Sequence, residues 1–317
     1  MSHADLTAAR WRELSDESAI GVARAITREN GLELVGVHDH EYAGRRQRLA
    51  LFERDGMRFS LVPADRVSLG YDGAKFVPSP QQAADFTAST GEHGVAAAAE
   101  FVDAMTSPVR VTEFAAMLVA VEAMAMGATA VPLDDPEVQA LAAKAGGVPS
   151  WTIMSWRSGD SLRVEVDERG QPCHARVVRR MTHAQAVREA AERGMRPTSP
   201  DEWEYACGAG ATTLFRWGDD YAGMYDGYPD DQSAGLDRQP NLWGLVIGQD
   251  PYEYERTSDR EVPCGGDGGG AAHGGEGVFI QWLTLATAYR DPAHVGWFDP
   301  EDDDSNDIRF RLVVPLV

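Results

Sequence analysis

Two short helices with sharply marked ends constrain the fold of this chain more than any other feature of its sequence. Thr182–Gln185 and Ser199–Glu202 both have the composition and spacing of a capping box. In such a box the hydroxyl accepts from the third backbone amide, and the third side chain reaches back to the first amide. After Gly208 the chain is mostly glycine, aspartate and aromatic residues in short pieces, until an alternating pattern begins near the C-terminus. Helices followed by long irregular segments and short strands predict an α+β protein rather than a doubly wound sheet.

The N-terminal half contains further periodic segments. Apolar spacing over residues 15–29 predicts a helix, and alternation over residues 45–69 predicts strands. Residues 70–94 lack a periodic pattern and are predicted to be a loop. Residues 112–126 place apolar side chains at 3.6-residue spacing and predict an amphipathic helix. Another helix is predicted to begin at Pro136.

The charge and cysteine content of the chain limit its partners and its compartment. The 317 residues include 29 basic and 50 acidic ones, which gives a formal net charge of −21. This charge disfavours nucleic acids and anionic membranes, and no apolar run approaches the length of a membrane span. The chain does not open with a signal-peptide pattern. Three cysteines without metal-type spacing favour a reducing, cytoplasmic location.

Seven segments of the C-terminal half match, in order, the motifs of one protein family. Residues 196–206 (RPTSPDEWEYA) resemble the RLPTEAEWEYA signature of formylglycine-generating enzyme and sulfatase-modifying-factor domains. Six further segments resemble that family's motifs YPWGDE, NxFGLYD, WEWTSD, RGGSW, SAYR and IGFRL, and these are residues 215–220, 241–245, 254–259, 265–267, 288–290 and 308–312. One such motif is a weak signal, whereas seven in the correct order are a strong one.

The resemblance spans about residues 50–317, with a looser similarity upstream at residues 59–70 and 109–114. It implies a C-type-lectin-like α+β fold that is rich in loops with short strands. The predicted division is therefore a helical extension over residues 1–45 and a main domain of the formylglycine-generating-enzyme type over residues 46–317. Function does not follow from the fold, because it depends on the residues of the site.

The residues that carry the family's oxidation chemistry are absent at the matching positions. The family's oxidase holds a copper ion with two cysteines that follow the GGSW motif, since two soft thiolates suit Cu(I) and thiol chemistry. The stretch from Gly268 to Arg290 contains no cysteine, and Cys264 precedes the glycine pair. Pro251 and Tyr252 also replace the GN of the family's calcium-associated loop. The resemblance thus implies a relative that lacks formylglycine-generating activity.

A glycine-rich segment occupies the place of the cysteines. Eight of the thirteen residues from Gly265 to Gly277 are glycine. Asp267 and His273 lie within this segment, and we predict that they form a new metal or acid/base site. Glu255, which matches the glutamate of the calcium-associated loop, is the third predicted catalytic residue. The alternative is a flexible surface loop left after an ancestral site decayed.

Three residues that map to the family's cleft or crowd the loop-rich half are predicted to bind substrate. They are Arg290, Trp243 and Trp282. Arg290 can hold a carboxylate through a bidentate contact, or it can form a structural salt bridge. Aromatic rings on loops are typical of binding surfaces, although this fold also uses them for packing.

Two other clusters contain residue types that bind metals. His38 and His40 have a spacing that places both rings on one face of a strand, but we favour a solvated linker there. Residues 299–307 are acidic but lack the spacing of an EF-hand loop, so a solvated charge run is favoured.

Two classes of function follow as expectations. The first is a small-molecule or peptide-tailoring oxidoreductase, in which Asp267 and His273 bind a divalent metal ion of unknown identity, calcium in a structural role or a transition metal. The second is a non-catalytic module that binds a ligand or protein. An oxidase with a relocated thiol at Cys264 is a third, disfavoured hypothesis. The expected partner is a small molecule or peptide, with no nucleic acid and no membrane.

Overall fold

The computed structural model of the chain describes residues 3–89, 97–144, 152–157, 159–221, 235–248, 254–271, 277–292 and 308–316. Contacts divide the chain into two units. The first comprises residues 1–123, 195–297 and 311–317, and the second comprises residues 124–194 and 298–310. Helices combined with antiparallel sheets confirm the predicted α+β class.

The described residues form eight α-helices: α1 (Ala8–Glu13), α2 (Asp16–Asn30), α3 (Pro80–Ser89), α4 (Ala98–Ala104), α5 (Pro136–Lys144), α6 (His183–Glu192), α7 (Pro200–Gly208) and α8 (Val278–Leu283). Their fourteen strands are β1 (Glu33–Tyr42), β2 (Arg45–Arg54), β3 (Met57–Val62), β4 (Asp65–Leu69), β5 (Arg110–Phe114), β6 (Met117–Ala120), β7 (Met124–Ala125), β8 (Ala128–Ala130), β9 (Thr152–Arg157), β10 (Asp160–Val166), β11 (Pro172–Val178), β12 (Arg196–Pro197), β13 (Arg309–Phe310) and β14 (Leu312–Pro315). No helix among these combines the length and apolar character that a bilayer crossing requires.

A six-stranded antiparallel sheet forms the base of the first unit, with the order β1-β2-β3-β6-β14-β12. Two-residue loops join its first three strands, Ala43-Gly44 after β1 and Asp55-Gly56 after β2. All four loop residues have positive φ angles, between 48° and 74°. Tight loops of this conformation match the twist of antiparallel strands. The first loop places Tyr42 opposite Arg45 and thereby sets the register of β1 against β2.

The predicted helix ends are confirmed at α2, α6 and α7. Ser15 accepts from the Ser18 amide at 3.2 Å, and α2 ends at Gly31 in the left-handed conformation. Both predicted capping boxes are present, at Thr182 for α6 and at Ser199 for α7. These ends are predictable because the groups involved lie within four residues of one another.

The predicted amphipathic helix over residues 112–126 is wrong. The segment contains β6, and its four residues are all buried. Val119 lies opposite Ser60 on one side and opposite Val313 on the other. A strand in the middle of a sheet is buried on both faces, so its apolar run resembles that of a buried helix. Pairing with β3 and β14 therefore makes residues 117–120 a strand rather than part of a helix.

The loop predicted over residues 70–94 is also wrong in part, because it contains α3. Phe86 on this helix meets Phe279 of α8 at 5.1 Å between ring centroids and Phe101 of α4 at 5.9 Å. Aromatic packing against helices distant in sequence stabilises a segment whose own periodicity is weak.

The second unit has its own four-stranded antiparallel sheet, with the order β8-β11-β10-β9. Helix α5 covers it, and Val138 and Leu141 pack against Leu162, Val164 and Val166 of β10. The helix predicted to begin at Pro136 is confirmed.

The linker predicted around His38 and His40 is wrong. Both residues lie on β1, in a ladder with β2 that runs from Glu33 to Tyr42. His40 Nε2 lies 3.0 Å from the carbonyl oxygen of Asn241, so this imidazole contacts the backbone of a distant segment.

Candidate functional site

Glu255 lies at the centre of a buried ionic cluster with Arg311. The guanidinium of Arg311 donates from Nε and Nη2 to the two carboxylate oxygens of Glu255. Its other three hydrogen bonds reach the carbonyl oxygens of Ala120, Val121 and Val246 at 2.7–2.8 Å. Arginine has five N–H donors, and all five are used here. The indole of Trp203 also donates to Glu255 Oε2, at 2.7 Å.

This arrangement does not fit a cation site at Glu255. A calcium ion needs several free oxygen ligands, whereas both oxygens of this carboxylate already accept hydrogen bonds from Arg311. A guanidinium in direct contact would also repel the ion. Arg311 therefore neutralises the charge of Glu255 and ties it to the backbone of two distant segments.

A second ionic cluster surrounds Glu204, which is 1% exposed and lies on α7. Its Oε2 accepts from Ser107 Oγ, Arg110 Nη2 and Arg290 Nη2, each at 2.9 Å, and its Oε1 accepts from the Gly70 amide. Burial lowers the pKa of Arg110, but hydrogen bonds and charges from its acidic partners outweigh that effect and raise it. Arg290, a predicted substrate-binding residue, thus contacts a carboxylate of the chain itself.

Asn241 joins its own turn to the end of α7. Its Nδ2 donates to the carbonyl oxygens of Ala206 and Cys207 at 2.7 and 2.9 Å. Its Oδ1 accepts from the Trp243 and Leu245 amides, both at 3.0 Å. Both N–H donors and both acceptor lone pairs of this buried amide are therefore satisfied by the backbone.

Asp267 organises the described part of the glycine-rich segment. Its Oδ1 accepts from the Gly269 amide at 2.8 Å, and its Oδ2 accepts from the Ala271 amide at 2.7 Å. The side chain is buried, and Gly265, two residues earlier in the segment, has a φ of 87°. A Cβ at Gly265 would lie 2.8 Å from the ring of Trp203, so only glycine fits against that ring. His273 lies outside the described residues, as does the acidic run over residues 299–307.

The two predicted substrate-binding tryptophans contact different aromatic partners. Trp282 stacks on Tyr221 at 5.3 Å and meets Trp217 edge-on at 6.2 Å. Trp243 packs edge-on against Tyr205 at 6.3 Å. The Nε1 of Trp243 is buried and has no hydrogen-bond acceptor within the described part of the chain.

Burial keeps the thiols of Cys207 and Cys264 protonated at neutral pH. Burial raises the pKa of Cys207 to about 11 and that of Cys264 to about 12. The thiolate is the form that binds metal and attacks substrate, and at neutral pH both groups are held as thiols. No group of three or more His, Cys, Asp or Glu side chains in the described ranges is arranged to hold a metal ion.

A cavity of about 320 Å³ lies in the first unit, away from most of the predicted site residues. Trp243 is the predicted residue that lines it, together with the arginines Arg12, Arg45 and Arg46. The run Arg45–Arg48 is visible in the sequence as a basic cluster, but its pairing with Arg12 and Trp243 depends on the fold.

The sequence interpretation also missed Glu204 and Arg311 as the centres of the ionic clusters. A signal for Glu204 existed, because it lies between two aromatic residues on the buried side of a short helix. Arg311 showed a similar signal, because it is a charged residue between the apolar residues Phe310 and Leu312.

The chain matches no known family model, and no curated protein is significantly similar to it.

Proposed function

We propose that the chain is a divergent member of the formylglycine-generating enzyme and sulfatase-modifying-factor family with a C-type-lectin-like fold. We propose further that it binds a small-molecule or peptide ligand and does not oxidise a thiol to formylglycine. Its proposed location is the reducing cytoplasm, in keeping with three free cysteines, and nucleic acid and membrane are not its partners.

Contacts between the family-like motifs support the first part of this proposal. Trp203, in the RPTSPDEWEYA segment, donates to Glu255 in the segment similar to WEWTSD. Arg311, in the terminal motif, pairs with that same glutamate. Glu204 pairs with Arg290 of the segment similar to SAYR. Motifs far apart in sequence thus contact one another through the residues that define the resemblance, as expected if they encode one fold.

One observation favours a binding function over catalysis: Glu255 and Asp267, the two predicted catalytic residues that the structure describes, both accept hydrogen bonds from other groups of the chain. The Glu255 oxygens accept from Arg311 and Trp203, and the Asp267 oxygens accept from two backbone amides. A general acid or base must reach the substrate proton within hydrogen-bond distance. Carboxylates whose two oxygens already accept hydrogen bonds from structural donors favour a role in shaping the domain.

Two assays test the proposal. Incubation with a Cys-x-Pro-x-Arg peptide under air, with and without added copper, should leave the thiol unoxidised, and an aldehyde product would contradict the proposal. Elemental analysis of the purified protein and of the His273→Ala variant tests the tailoring-oxidoreductase alternative. A transition metal bound by the wild type and lost from that variant would favour the alternative.

An Asp267→Asn variant separates a structural aspartate from a metal ligand. Asparagine keeps one oxygen acceptor for the glycine-rich turn, but its NH₂ group faces one of the two backbone amides that now donate to Asp267. We expect a loss of stability with unchanged metal content, and loss of a bound metal from this variant would favour the role of metal ligand.

A further inference from the structure

The arginine-lined cavity has the size of a small-molecule site. Its volume of about 320 Å³ falls within the range of known ligand pockets. Apolar and aromatic side chains form part of its wall, including Ala8, Leu242 and Trp243. Three arginines and one aspartate, Asp65, supply the charged groups of the lining. The cavity therefore carries excess positive charge, although the chain as a whole has a net charge of −21.

The hairpin loop and helix α1 bring these arginines together. The Ala43-Gly44 loop places Arg45 and Arg46 at the start of β2. Helix α1 is fixed to the same strand, because Trp11 Nε1 donates to the Arg48 carbonyl oxygen at 2.8 Å. Arg12 follows Trp11 directly, and it lines the same cavity as Arg45 although 32 residues separate the two in sequence.

Two of the three guanidinium groups lack a carboxylate partner within the described residues. Arg45 donates to the Ala209 carbonyl oxygen at 2.6 Å, and no acceptor for Arg12 is found there. Arg46 pairs with Asp39 at 2.6 Å, and both side chains are exposed. Asp65 accepts from the Arg66 amide at 2.8 Å. Burial lowers the pKa of Arg45, and the charge of Arg12 lowers it further, as expected for like charges held close.

Trp243 adds an independent feature of the same cavity. It is 4% exposed, and its Nε1 has no hydrogen-bond acceptor within the described residues. Buried donors of this kind usually have a partner, and an oxyanion accepts from indole and guanidinium N–H groups alike.

We propose that this cavity binds a small organic oxyanion, a molecule with an apolar body and a carboxylate or phosphate group held by Arg12 and Arg45. This inference rests on the proposed binding function and names its ligand class. Guanidinium groups suit both anions because their planar donors form paired hydrogen bonds with either. The apolar side chains of Ala8, Leu242 and Trp243 in the lining favour a molecule with an apolar body over a bare inorganic ion.

Calorimetric titration with three probes of similar apolar body tests the proposal. Phenyl phosphate and benzoate carry the two oxyanions, and benzyl alcohol is the neutral control. We expect one or both anions to bind, with the stronger identifying the preferred group, and the alcohol to bind at least about tenfold more weakly. Raising the salt concentration should weaken anion binding because the cavity is open to solvent.

Variants locate the binding. Arg45→Gln and Arg12→Gln should each weaken anion binding about tenfold, since each removes a charge-assisted hydrogen bond. Arg24→Gln removes the same charge from an exposed position on α2 and should leave the affinity within about twofold. Arg12 is exposed and has no partner found within the described residues, so its substitution keeps the test valid even if Arg45→Gln impairs folding.

Two outcomes would overturn the inference. One is the absence of binding by both anions up to about 10 mM, the weak limit of a specific site. The other is anion binding that Arg12→Gln and Arg45→Gln weaken no more than Arg24→Gln does. In the second case the ligand-binding function stands and only this cavity is refuted. Aldehyde formation on the thiol peptide would instead refute the proposed function, whatever the calorimetry shows.

Discussion

Glu255→Gln provides the sharpest test of whether this glutamate holds the fold together. Glutamine has the same shape but replaces one carboxylate oxygen by an NH₂ group, which is a donor. Arg311 would then face a donor on one side and lose its counter-charge, while all surrounding groups stay buried. Removing one partner of a buried ion pair costs about 3–5 kcal/mol, because the remaining charge stays desolvated. That is a large fraction of the roughly 5–15 kcal/mol by which a folded domain is stable.

Urea unfolding monitored by tryptophan fluorescence measures this loss. The matched control is Glu113→Gln, which removes a carboxylate from an exposed pair with Arg66 at 3.5 Å. Exposed pairs contribute about 0–1 kcal/mol, so this control should unfold almost as the wild type does. A loss below about 1 kcal/mol for Glu255→Gln would refute the structural role, since a buried ion pair in this geometry costs more to break.

A double substitution strengthens the test. Arg311→Met removes the charge that Glu255→Gln would leave unpaired, so the double variant should lose less than the sum of the two single losses. A strictly additive result would show that the two side chains do not act as a pair.

Three further predictions concern the thiols and the turn at Asn241. A disulfide reagent at pH 8 should modify the exposed Cys173 at once and Cys207 and Cys264 only after denaturation; rapid reaction of all three would contradict their burial. The pKa of Cys207 is raised to about 11 and that of Cys264 to about 12, so the folded state holds these protons more tightly than the unfolded chain. The free energy of unfolding should therefore be constant below about pH 9 and fall as pH rises toward about 12. It should fall less in the Cys264→Ala variant, and an equal fall in the two proteins would argue against this cause. Asn241→Ala should lose about 4 kcal/mol in urea unfolding, because four hydrogen bonds at about 1 kcal/mol each disappear, and a loss under about 1 kcal/mol would contradict that contribution.

Local chemistry made part of the fold predictable. The capping boxes at Thr182 and Ser199 and the helix at Pro136 depend on groups a few residues apart, so the sequence alone predicts them. The α+β class follows from the same local signals. The strand β6 does not, because its apolar run is compatible with a helix until β3 and β14 pair with it.

The candidate site shows the same division more strongly. The sequence predicts catalytic or substrate-binding roles for Glu255, Asp267 and Arg290, yet it does not show which hydrogen-bond partners surround them. Arg311 reaches Glu255 across 56 positions, and Arg290 reaches Glu204 across 86. The sequence alone thus identified residues that could act chemically. Only the tertiary structure decided whether their carboxylates are free or already hydrogen-bonded within the chain. The physical reason is that the hydrogen bonds and charges around an ionic group come from its nearest neighbours in space. Long-range strand pairing determines which residues those neighbours are.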